Sequence, residues 1–326
     1  MNPTLICKPT PLHRLDRASE KLGIDLWIKR DDLSGFAGGG NKGRKLEFLI
    51  GEALAQGADS FVTRGAFQSN YVRQAAFAAK MFGMEFHAAV MHWPYSLPGR
   101  ETHPDGWKPP KADSGNMILD KLAEANIYVY EDGTFDEMDA HADALAERLR
   151  AEGRNVYQTP SGGSSPVGAL GFVAACDELF EQADPFDYVL FASGSGSTQV
   201  GLVFGHRRAG CKTHLIGICT DDEPEMVDYF EQIAEGVSQL TLSNLKLSRN
   251  DFDLRQDYHG GGYQVPSAAA ERAIRFLAHT EGILLDPVYT AKAFAGLMDL
   301  AEKKQIGGRV LFWHTGGLPT LLVPRE

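Results

Sequence analysis

The sequence predicts an α/β protein with a parallel sheet covered by helices on both faces, and three observations point there. Short apolar, β-rich runs alternate with amphipathic helical stretches. A turn-rich break near residue 160 separates two sets of them, and one run empties into a Gly/Ser loop leading straight into a helix. With 326 residues and 43% hydrophobic content, the chain can bury a large core arranged as two compact units.

Taken in order, Gly38-Gly39-Gly40-Asn41-Lys42-Gly43-Arg44-Lys45 opens a helix, because Leu46, Leu49, Ile50, Ala53 and Leu54 recur at helical spacing. Ser60-Phe61-Val62-Thr63 reads as strand, Tyr71 to Phe82 as a helix closed by Gly83, and Phe86 to Met91 as strand. From Met91 to Asp113 the alternation stops. Pro94, Pro98, Pro104, Pro109 and Pro110 accompany Trp93, Tyr95 and Trp107 in a long irregular loop, of the kind used as a surface insertion, a lid or an oligomer contact. Alternation resumes with helix Asn116 to Ala125, strand Ile127 to Tyr130, helix Phe135 to Ala151 and strand Asn155 to Thr159. Pro160 to Pro166 is the break. Helix Gly168 to Phe180, strand Tyr188 to Ala192, the loop Ser193 to Gln199, helix Val200 to Arg208 and strand Leu215 to Cys219 follow.

Composition removes several classes of function. A formal net charge of -11 without a long basic run leaves no electrostatic footprint for nucleic acid and little attraction to an anionic membrane. No stretch approaches the roughly 20 apolar residues of a membrane span, and the first ten residues are too short an apolar run for a secretory signal, so a soluble cytoplasmic protein is expected. Cys7, Cys176, Cys211 and Cys219 lack Cys-x-x-Cys spacing and are expected as reduced, buried thiols. The ten histidines and the acidic residues show no ligand spacing, so no metal is expected.

Lys42, behind a backbone stripped of side chains, is placed to meet a ligand closely. It can be a phosphate clamp, a covalent amine or a solvated lysine on a turn. The nucleotide-loop version of the clamp fails, since Asn41 and Gly43 stand where Gly-Lys-Ser/Thr is required. Downstream, Ser193-Gly194-Ser195-Gly196-Ser197-Thr198-Gln199 forms an anion cup, with backbone N–H groups and the hydroxyls of Ser195, Ser197 and Thr198 as donors. A dinucleotide loop competes for the same segment, with Asp221 as ribose partner, but Gln199 stands where the third glycine belongs. A lysine in a glycine-rich opening plus a cup for a single phosphate fits pyridoxal 5'-phosphate.

These motifs, with Lys29 to Asp32, Gly65 to Gln74, Glu281 to Thr290 and His314 to Gly317, resemble the family of D-cysteine desulfhydrase and 1-aminocyclopropane-1-carboxylate deaminase, fold-type II pyridoxal-phosphate enzymes. The resemblance implies two open, mostly parallel twisted sheets flanked by helices, as in tryptophan synthase β. It also implies a large cofactor-binding domain of residues 1–50 and 160–326, a small α/β domain of residues 51–159, and a homodimer. By the same resemblance Lys42 is the Schiff-base lysine, Asn70 the partner of the cofactor's 3-hydroxyl, and Ser195, Gly196, Ser197 and Thr198 the phosphate loop. Ser69 binds the substrate carboxylate and assists proton transfer, flanked by Asn70 and Tyr71, while Tyr263 and Tyr289 are active-site tyrosines.

Thr290 stands where the ring-opening deaminases carry a glutamate for the pyridine nitrogen, and Thr315 is expected beside it. Hydroxyls there suit α,β-elimination of a good leaving group, turning D-cysteine into sulfide, pyruvate and ammonia. Cyclopropane-acid deamination, L-cysteate sulfo-lyase activity and non-catalytic cofactor binding are the alternatives. Two residues depart from the family pattern. Tyr71 replaces a histidine or glutamine, and Arg64 precedes Gly65, where it is either a structural arginine or a partner for a second substrate anion.

Overall fold

In the computed structural model, residues 2–95, 97–99, 103 and 108–324 are described. Pro104 and Trp107 of the irregular loop lie outside the described residues. The first half of the chain runs β1 (Leu12–Arg14), α1 (Asp16–Leu22), β2 (Asp25–Arg30), α2 (Lys42–Ala55), β3 (Ser60–Ala66), α3 (Asn70–Met81), β4 (Glu85–Met91), α4 (Gly115–Leu122), β5 (Asn126–Tyr130), α5 (Phe135–Ala151) and β6 (Val156–Gln158). The second half runs α6 (Pro166–Gln182), β7 (Tyr188–Ser193), α7 (Ser197–Arg208), β8 (His214–Cys219), α8 (Asp228–Leu240), β9 (Asp253–Arg255), α9 (Ala268–Glu281), α10 (Thr290–Glu302), β10 (Arg309–His314) and the short α11 (Leu318–Leu321).

Two sheets result. One has six strands in the order β1-β2-β10-β7-β8-β9, parallel except for the β1–β2 pair; the other has four parallel strands in the order β5-β4-β3-β6. The two-residue period of a strand explains how the larger sheet is covered. On β7, Leu190 and Ala192 face a cluster with Leu277, Phe294 and Leu297 of α9 and α10, whereas Val189 and Phe191 face Phe172, Val203 and Phe230 of α6, α7 and α8. Both faces are therefore dry, and the strands read as continuous apolar runs. In the smaller sheet Phe61, Phe86, Ala88 and Val90 pack under α2, α3 and α4, while Val62 meets Leu145, Ala146 and Leu149 of α5.

Three local expectations need correction. The helix expected over Asn116 to Ala125 stops at Leu122, because the backbone turns left-handed at Glu124 (φ 51°). The helix expected from Val200 begins at Ser197, so the Gly/Ser loop is shorter than its composition suggests. All four cysteines are free, but Cys7 is exposed in the irregular N-terminal segment rather than buried; Cys176 and Cys219 are buried.

Behind the larger sheet lies a buried charge network. Arg44 pairs with Asp31 (2.8 Å) and Glu178 (2.9 Å), Lys29 pairs with Glu178 (2.5 Å), and the Trp313 indole donates to Asp31 (2.8 Å). It ties β2, α2, α6 and β10 together, with Arg44 two residues after Lys42.

Candidate active site

A cavity of about 690 Å³ opens where the carboxyl ends of strands from both sheets meet the glycine-rich turns, the usual ligand position in open α/β sheets. Lys42, the first residue of α2, is half-buried on its wall. The helix can start there because Gly39 turns in the left-handed region (φ 77°) and a Cβ on it would lie 2.0 Å from the Asp32 carbonyl oxygen. The Lys42 amine has no hydrogen-bond or ion-pair partner among the described residues. Burial, reinforced by the positive charge of Arg73 and opposed by Asp286, pushes its pKa down to about 8.

Across the cavity, α7 begins at Ser197 behind the N-cap Gly196; the Ser197 N–H donates to the Ser164 hydroxyl (3.2 Å), and the N–H groups of Thr198 and Gln199 remain open to an anion. Gly196 holds φ 96°, and a Cβ there would meet the Phe230 ring at 2.4 Å. Around this end the Ser164 hydroxyl lies 2.7 Å from that of Ser195 and 3.1 Å from that of Ser197, and Asn41 donates to the Thr198 hydroxyl (3.2 Å). Lys45 also lines the cavity here, one helical turn beyond Lys42, and donates to the carbonyl of Gly162 (3.2 Å).

A third wall carries Tyr263 and Tyr289, whose hydroxyl oxygens are 2.6 Å apart. Burial raises both phenol pKa values, with the negative charges of Asp221 and Asp286 adding to it, so both phenols keep their protons. Tyr289 is held by Asp286, whose carboxylate accepts from the N–H groups of Val288, Tyr289 and Thr290. The same carboxylate takes the Thr290 hydroxyl at 2.7 Å. Thr290 is fully buried with its hydroxyl on Asp286, and it is not among the residues that line the cavity. Thr315 does line the cavity, and its carbonyl anchors the N–H of Asn41 (3.0 Å).

Ser69 caps α3, accepting from the N–H groups of Tyr71 (3.2 Å) and Val72 (3.3 Å), so its hydroxyl and the start of a 12-residue helix face the cavity together. The Asn70 carbonyl oxygen accepts from Arg73 (2.9 Å) and Asn116 (3.1 Å), which leaves its NH₂ as the group offered to a ligand. Tyr71 lines the cavity with its ring, while its hydroxyl meets that of Thr159 (2.9 Å). Arg64 also reaches the wall, paired there with Asp139 of α5.

The family pattern described as pyridoxal-phosphate dependent enzyme matches residues 4–316. The chain belongs to that family. It is 39% identical over 321 residues to a Pyrococcus abyssi protein assigned provisionally as a 1-aminocyclopropane-1-carboxylate deaminase, covering 97% of this chain and 91% of that protein. To a D-cysteine desulfhydrase of Salmonella typhi it is 38% identical over 327 residues, covering 97% and 94%. A solved structure described as an ACC deaminase homologue superposes with a TM-score of 0.88 at 35% identity, over 98% of this chain and 93% of that one.

The pyridoxal-phosphate enzymes of this group have the fold-type II architecture, and the walls of this cavity fit the cofactor. A lysine without a hydrogen-bond partner among the described residues stands at one end, and a helix terminus ringed by hydroxyls stands at the other. Ser164 and Lys45, which would join Ser195 to Thr198 at the phosphate, went unassigned in the sequence. Lys45 could have been found from its i, i+3 spacing to Lys42, whereas Ser164 approaches only through the fold. The dinucleotide alternative is excluded by geometry: Gln199 packs over β8, where Gly217 leaves room for it (a Cβ would lie 2.1 Å from its Oε1), and Asp221 is occupied by the N–H of Tyr263 (2.7 Å).

Proposed function

We propose that this enzyme is a lyase that performs α,β-elimination on a small β-substituted amino acid, with D-cysteine as substrate. The observation that carries the reading is the residue after Tyr289. It is a threonine hydrogen-bonded to Asp286, with Thr315 on the cavity wall, at the position where ring opening of a cyclopropane acid would call for a carboxylate. The D-cysteine desulfhydrase relative supports sulfur as the leaving atom.

Bound pyridoxal phosphate supplies an electron sink that makes the substrate's Cα–H bond labile. The chain's own groups do the rest. Lys42 holds the cofactor and, as a neutral amine, takes the Cα proton; its lowered pKa makes that form accessible near neutrality. The Ser69 hydroxyl and the N–H of Asn70 bind the substrate carboxylate, and the Asn70 NH₂ orients the ring. Tyr263 and Tyr289, both protonated and sharing a short hydrogen bond, deliver a proton to the departing sulfur. Overall, cysteine and water become hydrogen sulfide, pyruvate and ammonia. Residues 51–159 would form the small domain, residues 1–50 and 160–326 the large one, in a homodimer.

Arg64 on the cavity wall favours one second reading, elimination from an anionic β-substituent such as the sulfonate of cysteate, with the substrate displacing Asp139. A panel of D- and L-amino acids with β-leaving groups, scored for 2-oxo acid, separates these readings. Sulfide and pyruvate from D-cysteine, with none from L-cysteine, is the expected result. Sulfite from cysteate, abolished in Arg64→Ala, would transfer the assignment to the second reading, and 2-oxobutyrate from the cyclopropane acid would reject elimination. Spectral shifts without product would leave a non-catalytic binder.

A further inference from the structure

The peptide bond joining Gly262 to Tyr263 is gripped from both sides by opposite charges. Its carbonyl accepts from the ammonium of Lys292 at 2.6 Å, and its N–H donates to the carboxylate of Asp221 at 2.7 Å. Lys292 makes one more hydrogen bond, to the carbonyl of Thr220 at 3.1 Å, and so fastens the glycine segment to the cavity-lining turn after β8.

Lys292 has no exposed surface and no carboxylate within ion-pair distance among the described residues. Burying an ammonium against carbonyl oxygens is expensive, and an apolar side chain of similar length would fill the space at lower cost. The charge therefore does something that packing does not require. Gly260, Gly261 and Gly262 all hold positive φ (70°, 101° and 127°), so this segment lies outside the common helix and strand conformations and depends on external contacts for its orientation.

The clamp sets the direction in which the Tyr263 ring leaves the backbone, and the ring ends at the Tyr289 hydroxyl. Lys292 lies in the first turn of α10, three residues after Tyr289, which caps that helix. One helix thus places both phenols, Tyr289 through its own backbone and Tyr263 through Lys292. We infer that Lys292, with Asp221 as its counterpart, is a positioning residue for the Tyr263 hydroxyl; this rests on the reading above that Tyr263 carries a proton in the reaction.

The test compares wild type, Lys292→Met, Tyr263→Phe and the double variant. In the cofactor-free protein, amide hydrogen exchange over residues 257–266 should quicken about tenfold or more in Lys292→Met while α3 and β7 keep their protection, as loss of a charge-assisted hydrogen bond implies. In the loaded enzyme, kcat should fall about tenfold or more with KM nearly unchanged, and the double variant should be no slower than Tyr263→Phe alone. Unchanged exchange in that segment, or a kcat loss that multiplies with Tyr263→Phe, would overturn the proposal. If Lys292→Met does not fold, Asp221→Ala opens the other half of the clamp and should give the same exchange and the same non-additivity. Inactivity of wild type on the whole amino-acid panel would reject elimination, and the exchange measurement would then decide the clamp by itself.

Discussion

A lysine acts as a base near neutral pH only where its surroundings discourage charge, and Lys42 has such surroundings. Its position on the cavity wall withholds solvent, Arg73 repels its proton, and no carboxylate among the described residues binds it directly. The pKa near 8 has a testable consequence for the cofactor-free protein. Capture of added pyridoxal phosphate needs the neutral amine, so its rate should climb with pH, reach half its limit near pH 8 and level above it. A midpoint at the ordinary lysine value of 10.5 would show that the site does not tune the amine. At this scale the sequence was informative where residue type alone fixes chemistry: Lys42, Ser69, Asn70, Thr315 and the two tyrosines all reach the cavity. It was silent on the partner of Thr290, because which acceptor a hydroxyl chooses depends on the Asp286 carboxylate four residues earlier. It passed over Lys292, whose partners lie 72 and 30 residues away in sequence.

Helix ends do much of the work at the next scale. The starts of α2, α3 and α7 converge on one cavity, and each is shaped by a small residue or a hydroxyl that the sequence displays openly: Gly39, Ser69 and Gly196. Such punctuation is local, so strand–loop–helix units could be read directly. Boundaries were less legible, as α7 begins within what reads as loop and α4 stops short of its apolar pattern. Gly196→Ala tests the phosphate cup. A Cβ there meets Phe230 and the backbone is left-handed, a combination worth about 1–3 kcal/mol of strain, so the cofactor should bind roughly ten- to hundredfold more weakly in equilibrium dialysis. Affinity equal to wild type would remove this loop from the phosphate site.

For the molecule as a whole, β10 is central, because it lies between β2 and β7 and so joins the two ends of the chain through one sheet. Its apolar run, Val310 to Trp313, carries no signal of which neighbours it takes; pairing order is settled by crossovers and by long-range contacts such as the Arg44, Asp31, Glu178 and Lys29 network. Although burial opposes its charge, Glu178 has its pKa lowered from 4.5 to about 2 by Arg44 and Lys29. The charged form thus stabilises the fold above pH 4.5, and that contribution is lost as pH falls toward 2. In urea unfolding, the pH-dependent advantage of wild type over Glu178→Gln should be about 2 kcal/mol at neutrality, allowing for partial solvent screening, and should shrink through that window. A difference independent of pH would contradict the assignment. All of this architecture serves one covalent attachment, and the most direct measurement of it is borohydride reduction of the purified enzyme followed by peptide mass mapping. The pyridoxyl adduct should be found on Lys42, and Lys42→Ala should lose both the adduct and all turnover. An adduct on Lys45 or Lys292, or none on wild type, would contradict the account.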